Sequence, residues 1–497
     1  MTDADRENEP AFAALTFRQI AWRLSAHSSV YTIGLIAIRF GGLLLIPLYW
    51  RFLDPADYGV LAAAAVVTNF LAVFLGLGIS ESITRFYHAW PAAERHERIG
   101  TLWTADWASS FAIGIPLALW GGPLVQIAAK QVAFEPYLQL AVVSATLASL
   151  STGPITLLRV QEKSSTYVAV AAASFALRSA ITIYLVVFFR RGPLGVLQAD
   201  VLTGLIMLPV YALVMLRSAR PAWHAPTLSE GVRYSLPLIP GILSESLMWM
   251  MDRFVLEKYV TLTALGLYAV GDSIGSIVRV VSAGFKTAWL PFVMRAAIER
   301  GDAASVIGRA ATFYVLATLG LGLGVALTSA DLIAVIGVPK YFPVAAIVPM
   351  FVVPNVLLCL VPVLLGGLGV ARRTGYASAA AAAQLVVGVV ALLLLVPRWG
   401  ILGALVAITL ATATRAVLGF AFAQRFYPVA FEWRKIGVLI ASAVATFVVG
   451  RSVPVAPSAA GFAVRGVMVL AYAGATAWFV LGGRRWWMGR RLGTGVA

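Results

Sequence analysis

Apolar runs, each about as long as a helix that crosses a bilayer, recur along almost the whole chain. Crossing the hydrocarbon takes about 20 mostly apolar residues in a helix. Fourteen runs of that length, from 28–50 to 460–482, are separated by short stretches holding Gly, Pro and charge. Segments such as 376–396, YASAAAAAQLVVGVVALLLLV, are continuously apolar, unlike the alternating strands of about ten residues that build a membrane barrel. Only 12% of the 497 residues are charged, 60% are hydrophobic and the mean hydropathy is +0.87, whereas soluble domains carry about a quarter charged residues. The expected fold is an all-α polytopic membrane protein with about 14 transmembrane helices. Soluble enzymes, disordered tails and secreted disulfide scaffolds are excluded. The single cysteine, Cys359, sits in an apolar run and reads as a small core residue.

Basic residues are retained on the cytoplasmic side of a membrane. With the N-terminus inside, the inner segments hold 23 Lys and Arg and the outer loops eight, so both termini are expected in the cytoplasm. This asymmetry and anionic lipid headgroups account for the net charge of +16 without nucleic acid as a partner. Residues 1–27 lack the basic-then-apolar order of a cleaved signal. Within them, 11–24 form either an interfacial amphipathic helix or a partly ordered tail. Residues 483–497, with Trp486, Trp487 and several arginines, read as a cytoplasmic interfacial anchor.

The chain also repeats itself. RFLDPADYGVLAA (51–63) aligns with KYVTLTALGLYAV (258–270) at an offset of 207, matching Gly59 with Gly266, and GPLGVLQA (192–199) aligns with GILGALVA (400–407) at 208. Two connections agreeing within one residue predict two pseudo-symmetric six-helix lobes, 28–216 and 235–423, joined by a cytoplasmic linker at 217–234 and followed by a helix pair at 424–482. An even number of helices relates the lobes by an axis along the membrane normal, a recurring transporter plan with its binding site where the repeats meet. No gap is long enough for an ATPase, so an ion gradient or the substrate gradient must supply the energy.

A charged side chain near the bilayer centre costs at least about 2.5 to 3.5 kcal/mol, and each needs a cavity or a partner. Asp272, Arg279 and Lys286 in the eighth span (264–290) stand seven apart, on one helical stripe. Glu245 and Asp252 in the seventh (235–257) are also seven apart and suited to pair with those basic groups. Arg39, Arg178 and Arg415 lie in the first, fifth and twelfth spans and Asp200 in the sixth. Arg253, Lys286 and Arg465 fall nearer span ends, within reach of the headgroups, and Arg465 reads as snorkelling to them. We read Arg39, Arg178 and Arg279 as lining a water-filled cavity; a guanidinium stays charged and grips phosphate with two parallel hydrogen bonds. The G-x-x-x-G pairs Gly271/Gly275 and Gly320/Gly324 read as helix packing. Walker, metal-ligand and nucleophile-elbow patterns are missing, and no cofactor or metal is expected.

RFLDPADYGVLAA, SLPLIPGILSESLMWMMDRFVL (235–256), LTALGLYAVGDSIGSI (262–277) and AWLPF (288–292), in that order and spacing, make the chain resemble the polysaccharide flippases (Wzx-like) of the multidrug/oligosaccharidyl-lipid/polysaccharide exporter superfamily. The resemblance implies a V-shaped, two-lobed transporter. Its substrate would be a polyprenyl-diphosphate-linked oligosaccharide, an O-antigen, capsule or exopolysaccharide unit, moved across the bacterial inner membrane in concert with a polymerase and export partners. By position it assigns Arg39 and Arg279 to the diphosphate, with Arg178 and Arg415 beside them. Glu245, Asp252, Arg253, Asp272 and Lys286 form a charge network in which the carboxylates either bind a coupling proton or sodium ion or hold the arginines in place. Two rivals remain at this point: a cation-coupled multidrug antiporter of the same superfamily, and a membrane polysaccharide polymerase, against which the short outer loops speak.

Overall fold

The computed structural model describes residues 41–42, 45–299, 303–371 and 373–480. Arg39, most of the first span and the segments 1–27 and 483–497 lie outside them. The described chain is helical throughout: α1 (Ile46–Phe52), α2 (Pro55–Leu75), α3 (Ile79–Phe86), α4 (Ala92–Trp120), α5 (Gln139–Val160), α6 (Ser164–Ile183), α7 (Gly192–Leu216), α8 (Ala225–Ser235), α9 (Ile239–Tyr259), α10 (Leu262–Gly275), α11 (Ile277–Glu299), α12 (Ala303–Ile336), α13 (Val344–Val370), α14 (Thr374–Phe426), α15 (Trp433–Ser452) and α16 (Ala459–Val480). Among the described residues, ten helices are long and apolar enough to cross a membrane. One of them, α14, contains two spans: Gly400 breaks it at φ 54° and ψ −126°, and Tyr376 near its start packs on Phe422 and Phe426 near its end. Its arms are therefore antiparallel.

The repeat seen in the sequence reappears in backbone detail. Asp54 caps α2 in a capping box completed by Asp57, whose Oδ2 accepts the Asp54 N–H at 2.8 Å, with Pro55 at the first helical position. At the equivalent place Thr261 caps α10, its hydroxyl accepting the Ala264 N–H at 3.3 Å. Gly192 and Gly400, matched at the other offset, both have positive φ, 57° and 54°, the conformation that opens the last helix of each half at a sharp turn. Gly59 and Gly266 then pack the two halves together reciprocally. A Cβ on Gly59 would meet the Leu262 carbonyl oxygen at 1.9 Å, and one on Gly266 would meet that of Pro55 at 1.7 Å. Pro55 and Leu262 are themselves equivalent at the offset of 207, so the crossing of α2 and α10 maps onto itself.

Around this crossing, α2 also packs on α5 and α9, while α10 backs onto α13. One apolar core runs through both halves, with Ala63, Val67, Ala141 and Leu197 on one side and Leu256, Leu265, Tyr268 and Ala404 on the other. Gly271 and Gly275 seat Phe351 of α13, and Gly320 and Gly324 of α12 lie against Tyr472 and Val469 of α16, so both G-x-x-x-G pairs serve close packing. Cys359 is buried in the core of the second half.

The eighth span runs through α10 and α11, which meet at Ser276 with helical backbone angles, φ −71° and ψ −9°. One expectation is corrected: Arg465 does not snorkel. It is buried, paired through Nη1 with the fully buried Asp331, and donates to the carbonyls of Gly450 and Val455 at 3.4 and 2.8 Å. A guanidinium that finds a carboxylate and two carbonyls inside the protein has no reason to reach for headgroups. This pair ties α16 to α12.

Candidate functional site

A short turn at Val260 and Thr261 sets α9 and α10 antiparallel. Residues about seven to twelve positions either side of it are brought together, roughly 11 to 18 Å along the helices at 1.5 Å per residue. There Arg253 of α9 donates through Nη2 to Asp272 Oδ2 of α10 at 2.5 Å, and its Nη1 lies 3.5 Å from Asp252 Oδ2. The Tyr268 hydroxyl, fully buried, donates to the same Asp252 oxygen at 2.6 Å. Asp252 Oδ1 accepts the Arg253 backbone N–H at 2.8 Å. Arg279 of α11 extends the chain, its Nη2 standing 3.8 Å from Asp272 Oδ1, an ion-pair distance beyond hydrogen bonding.

Among the described residues, Asp252, Arg253, Asp272 and Arg279 thus form one connected cluster of carboxylates and guanidiniums, largely enclosed by protein. Among the described side chains the base of the seventh span, Arg253, bridges the acid of the eighth, Asp272, and Asp252 is held by Arg253 and Tyr268. Arg253 is no snorkelling residue. α9 and α11 also carry Glu245 and Lys286, whose side chains lie outside the described ones.

The other arginines sit elsewhere. Arg178 of α6 is half exposed and makes a two-pronged pair with Asp200 of α7, through Nε to Oδ1 and through Nη2 to Oδ2 at 3.3 Å. Arg415, in the second arm of α14, donates to Oε1 of the buried Gln384 in the first arm at 3.2 Å. Each half therefore carries one arginine bridging its last helical hairpin. Among the described residues Arg178 and Arg279 share no contact. Arg39 lies outside them.

Polar contacts between the halves, among the described residues, all fall at the end of the bundle where α2 and α10 begin. The Gln131 backbone N–H donates to Oε1 of buried Glu257 at 2.5 Å. Its side-chain amide donates to the Glu257 carbonyl and to that of Val260 at 2.8 Å. Lys340 pairs with Asp54 at 2.7 Å, and the Tyr341 hydroxyl donates to the Leu53 carbonyl at 2.8 Å, with its ring stacked on Trp50. At the opposite end the linker helix α8 is held by the first half: Ser82 of α3 donates to the Gly231 carbonyl at 2.9 Å, and the Arg220 carbonyl seats on Gly100.

Tyr268, Glu257 and Asp331 were missed in the sequence. Tyrosine in an apolar run carries no obvious cost signal, and the two acids stand at span ends, where composition cannot tell a buried carboxylate from an exposed one. Asp106 was missed although the cost rule applies to it; it is buried in the middle of α4 with no seven-residue partner to mark it.

The fold has solved counterparts. A lipid II flippase MurJ in an inward closed conformation matches with a TM-score of 0.74 at 10% identity, over 90% of this chain and 98% of that one. An inward-facing multidrug resistance MATE family transporter of the MOP superfamily matches at 0.57 and 15% identity, over 78% and 97%. The MATE multidrug transporter DinF-BH in complex with R6G matches at 0.56 and 16%, over 84% and 98%. No curated protein matches the chain by sequence. At these identities the likeness concerns the fold, which is that of the MOP transporters. The model of the family described as "Polysaccharide biosynthesis protein" matches residues 49–346, well over half of the chain, and the protein belongs to that family.

Proposed function

We propose that the protein is a flippase for polyprenyl-diphosphate-linked oligosaccharides of a bacterial cell surface, working in the inner membrane by alternating access, with both termini in the cytoplasm. The observation that carries this reading is that one helix, α10, holds both the reciprocal contact between the halves at Gly266 and the charged cluster at Asp272. A ligand that rearranges the cluster acts on the helix that holds the halves together, and differential affinity for two arrangements is what drives a transport cycle.

In this scheme the halves are the lobes 28–216 and 235–423, with 424–482 an added helix pair, and the joined end is the outer one. The diphosphate enters from the cytoplasmic side. Arg279, and Arg178 in the other lobe, exchange Asp272 and Asp200 for phosphate oxygens, which accept the same two-pronged hydrogen bonds. Arg253 stays bound to the carboxylates and keeps the cluster in register, while the prenyl tail remains in lipid between the lobes. The chemistry is translocation, with no covalent bond made or broken.

Transport of a fluorescent polyprenyl-diphosphate lipid into the outer leaflet of proteoliposomes tests the scheme. Arg279→Ala is expected to slow it at least tenfold, the equivalent of about 1.4 kcal/mol; transport at the wild-type rate removes the proposed role. The MATE-type folds keep a second reading in view, a cation-coupled multidrug antiporter. Efflux of cationic dyes by the same proteoliposomes, with no movement of the diphosphate lipid, is the outcome that selects it.

A further inference from the structure

We propose that Asp106 is a proton-binding site in the first half, built into the break between α2 and α3 and separate from the charged cluster on α9 to α11. Asp106 lies mid-way along α4 and is 3% exposed. Its Oδ2 accepts from the Ser80 hydroxyl of α3 at 3.3 Å, and its Oδ1 faces Gly76, where a Cβ would stand only 2.5 Å away. Ser110, whose hydroxyl donates to the Asp106 carbonyl at 2.8 Å, shares a 2.9 Å hydrogen bond with Ser149 of α5, itself beside Gly76. Gly153 of α5 leaves room on the other side. The result is one carboxyl and three hydroxyls enclosed by three helices.

Among the described residues no basic side chain offsets this carboxyl. The charged groups of the elements packed round it, Glu81 and Arg85 on α3, Arg159 on α5, and Glu230 and Arg233 on α8, are exposed. On α4 itself Arg98 pairs with Glu94 and Arg95 donates to the Trp90 carbonyl, both more than one turn away. His224 binds Thr101 and Thr227 rather than Asp106, and α2 has no charged side chain at this end. An ionised carboxylate enclosed in a membrane protein requires a cation. With Gly76 pressed against one oxygen, there is space for the smallest cation, a proton, and little for a hydrated ion.

The location gives that proton leverage. Leu77 and Gly78, both at positive φ (49° and 66°), link α2, which carries the inter-half contact at Gly59, to α3, which holds the linker helix through Ser82. The two oxygens of Asp106 touch the two sides of this joint, Gly76 and Ser80. Gain or loss of the proton changes whether the carboxyl donates or only accepts there, and so biases the angle of the joint. Its consequence for transport rests on the flippase reading; its test does not.

Infrared difference spectra of the full-length protein in lipid, recorded between acidic and alkaline pH, should contain a carboxylic-acid C=O band exchanged for carboxylate absorption. That component should vanish in Asp106→Asn, persist in Asp272→Asn, and change position in Asp106→Glu, which keeps a titrating acid should the asparagine variant fail to fold. A spectrum unchanged by both substitutions at 106 overturns the proposal. In proteoliposomes under an imposed pH gradient, Asp106→Asn should lose any gradient stimulation of diphosphate-lipid transport; stimulation equal to wild type overturns the coupling role. Loss of all transport in the wild type would instead sink the flippase reading and leave the infrared result to judge Asp106.

Discussion

Arg465 and Asp331 show how a charge inside this fold is kept. Their side chains are 8% and 0% exposed, and the acid accepts from the Ser458 backbone N–H as well, at 3.2 Å. Removing one member of such a pair leaves the other charge stranded, at a cost of about 3 to 5 kcal/mol. Arg465→Ala should therefore lower the thermal unfolding midpoint in detergent markedly, and Arg465→Met combined with Asp331→Leu should recover most of the loss; equal midpoints for Arg465→Ala and wild type would contradict the pairing. Individual charges were legible in the sequence because lipid penalises them, and Asp252, Asp272 and Arg279 were found that way. Their partners were not legible. Arg253, placed in the charge network but also near a span end, meets Asp272 because of the turn after α9. Which neighbour a side chain meets depends on helix rotation, which periodicity within one helix does not report.

The helices were easier to read than their interruptions. Continuous apolar runs announce spans, and the acidic and hydroxyl caps at Asp54 and Thr261 follow sequence rules. The break at Leu77–Gly78 falls inside apolar sequence, where Gly76 and Gly78 permit a joint without requiring one. Glycine placement settles one case in advance: Gly400 needs its positive φ, with ψ −126°, to turn α14 back on itself. Gly400→Val should cost about 1 to 3 kcal/mol through backbone strain, read as a lower unfolding midpoint. Gly437→Ala on α15, where a Cβ meets nothing within 4 Å, should leave the midpoint unchanged or slightly raised. Equal effects at the two positions would refute this account of the turn.

At the scale of the molecule, the offset of 207 foretold that the halves are equivalent, but not how they touch; that takes a crossing angle and a depth, neither of which is written in either repeat alone. The contacts at one end make a direct prediction. Carbodiimide should join the Asp54 carboxylate to the Lys340 amine, which lie 2.7 Å apart and within reach of water, and the amide formed should arrest transport. Asp54→Asn should escape both the cross-link and the arrest, and arrest of that variant would place the effect elsewhere. Gly266→Leu should force α2 and α10 apart at about 1 to 3 kcal/mol of overpacking strain, visible as readier proteolysis between the halves. The mutual seating of Gly59 on Leu262 and of Gly266 on Pro55 has the form of an isologous interface, in which one patch recognises its own copy. Because each partner of such a seam is seated on the other, a tilt of α2 should be answered by α10, and small-to-large substitutions at Gly59 and at Gly266 should have matching effects on the unfolding midpoint.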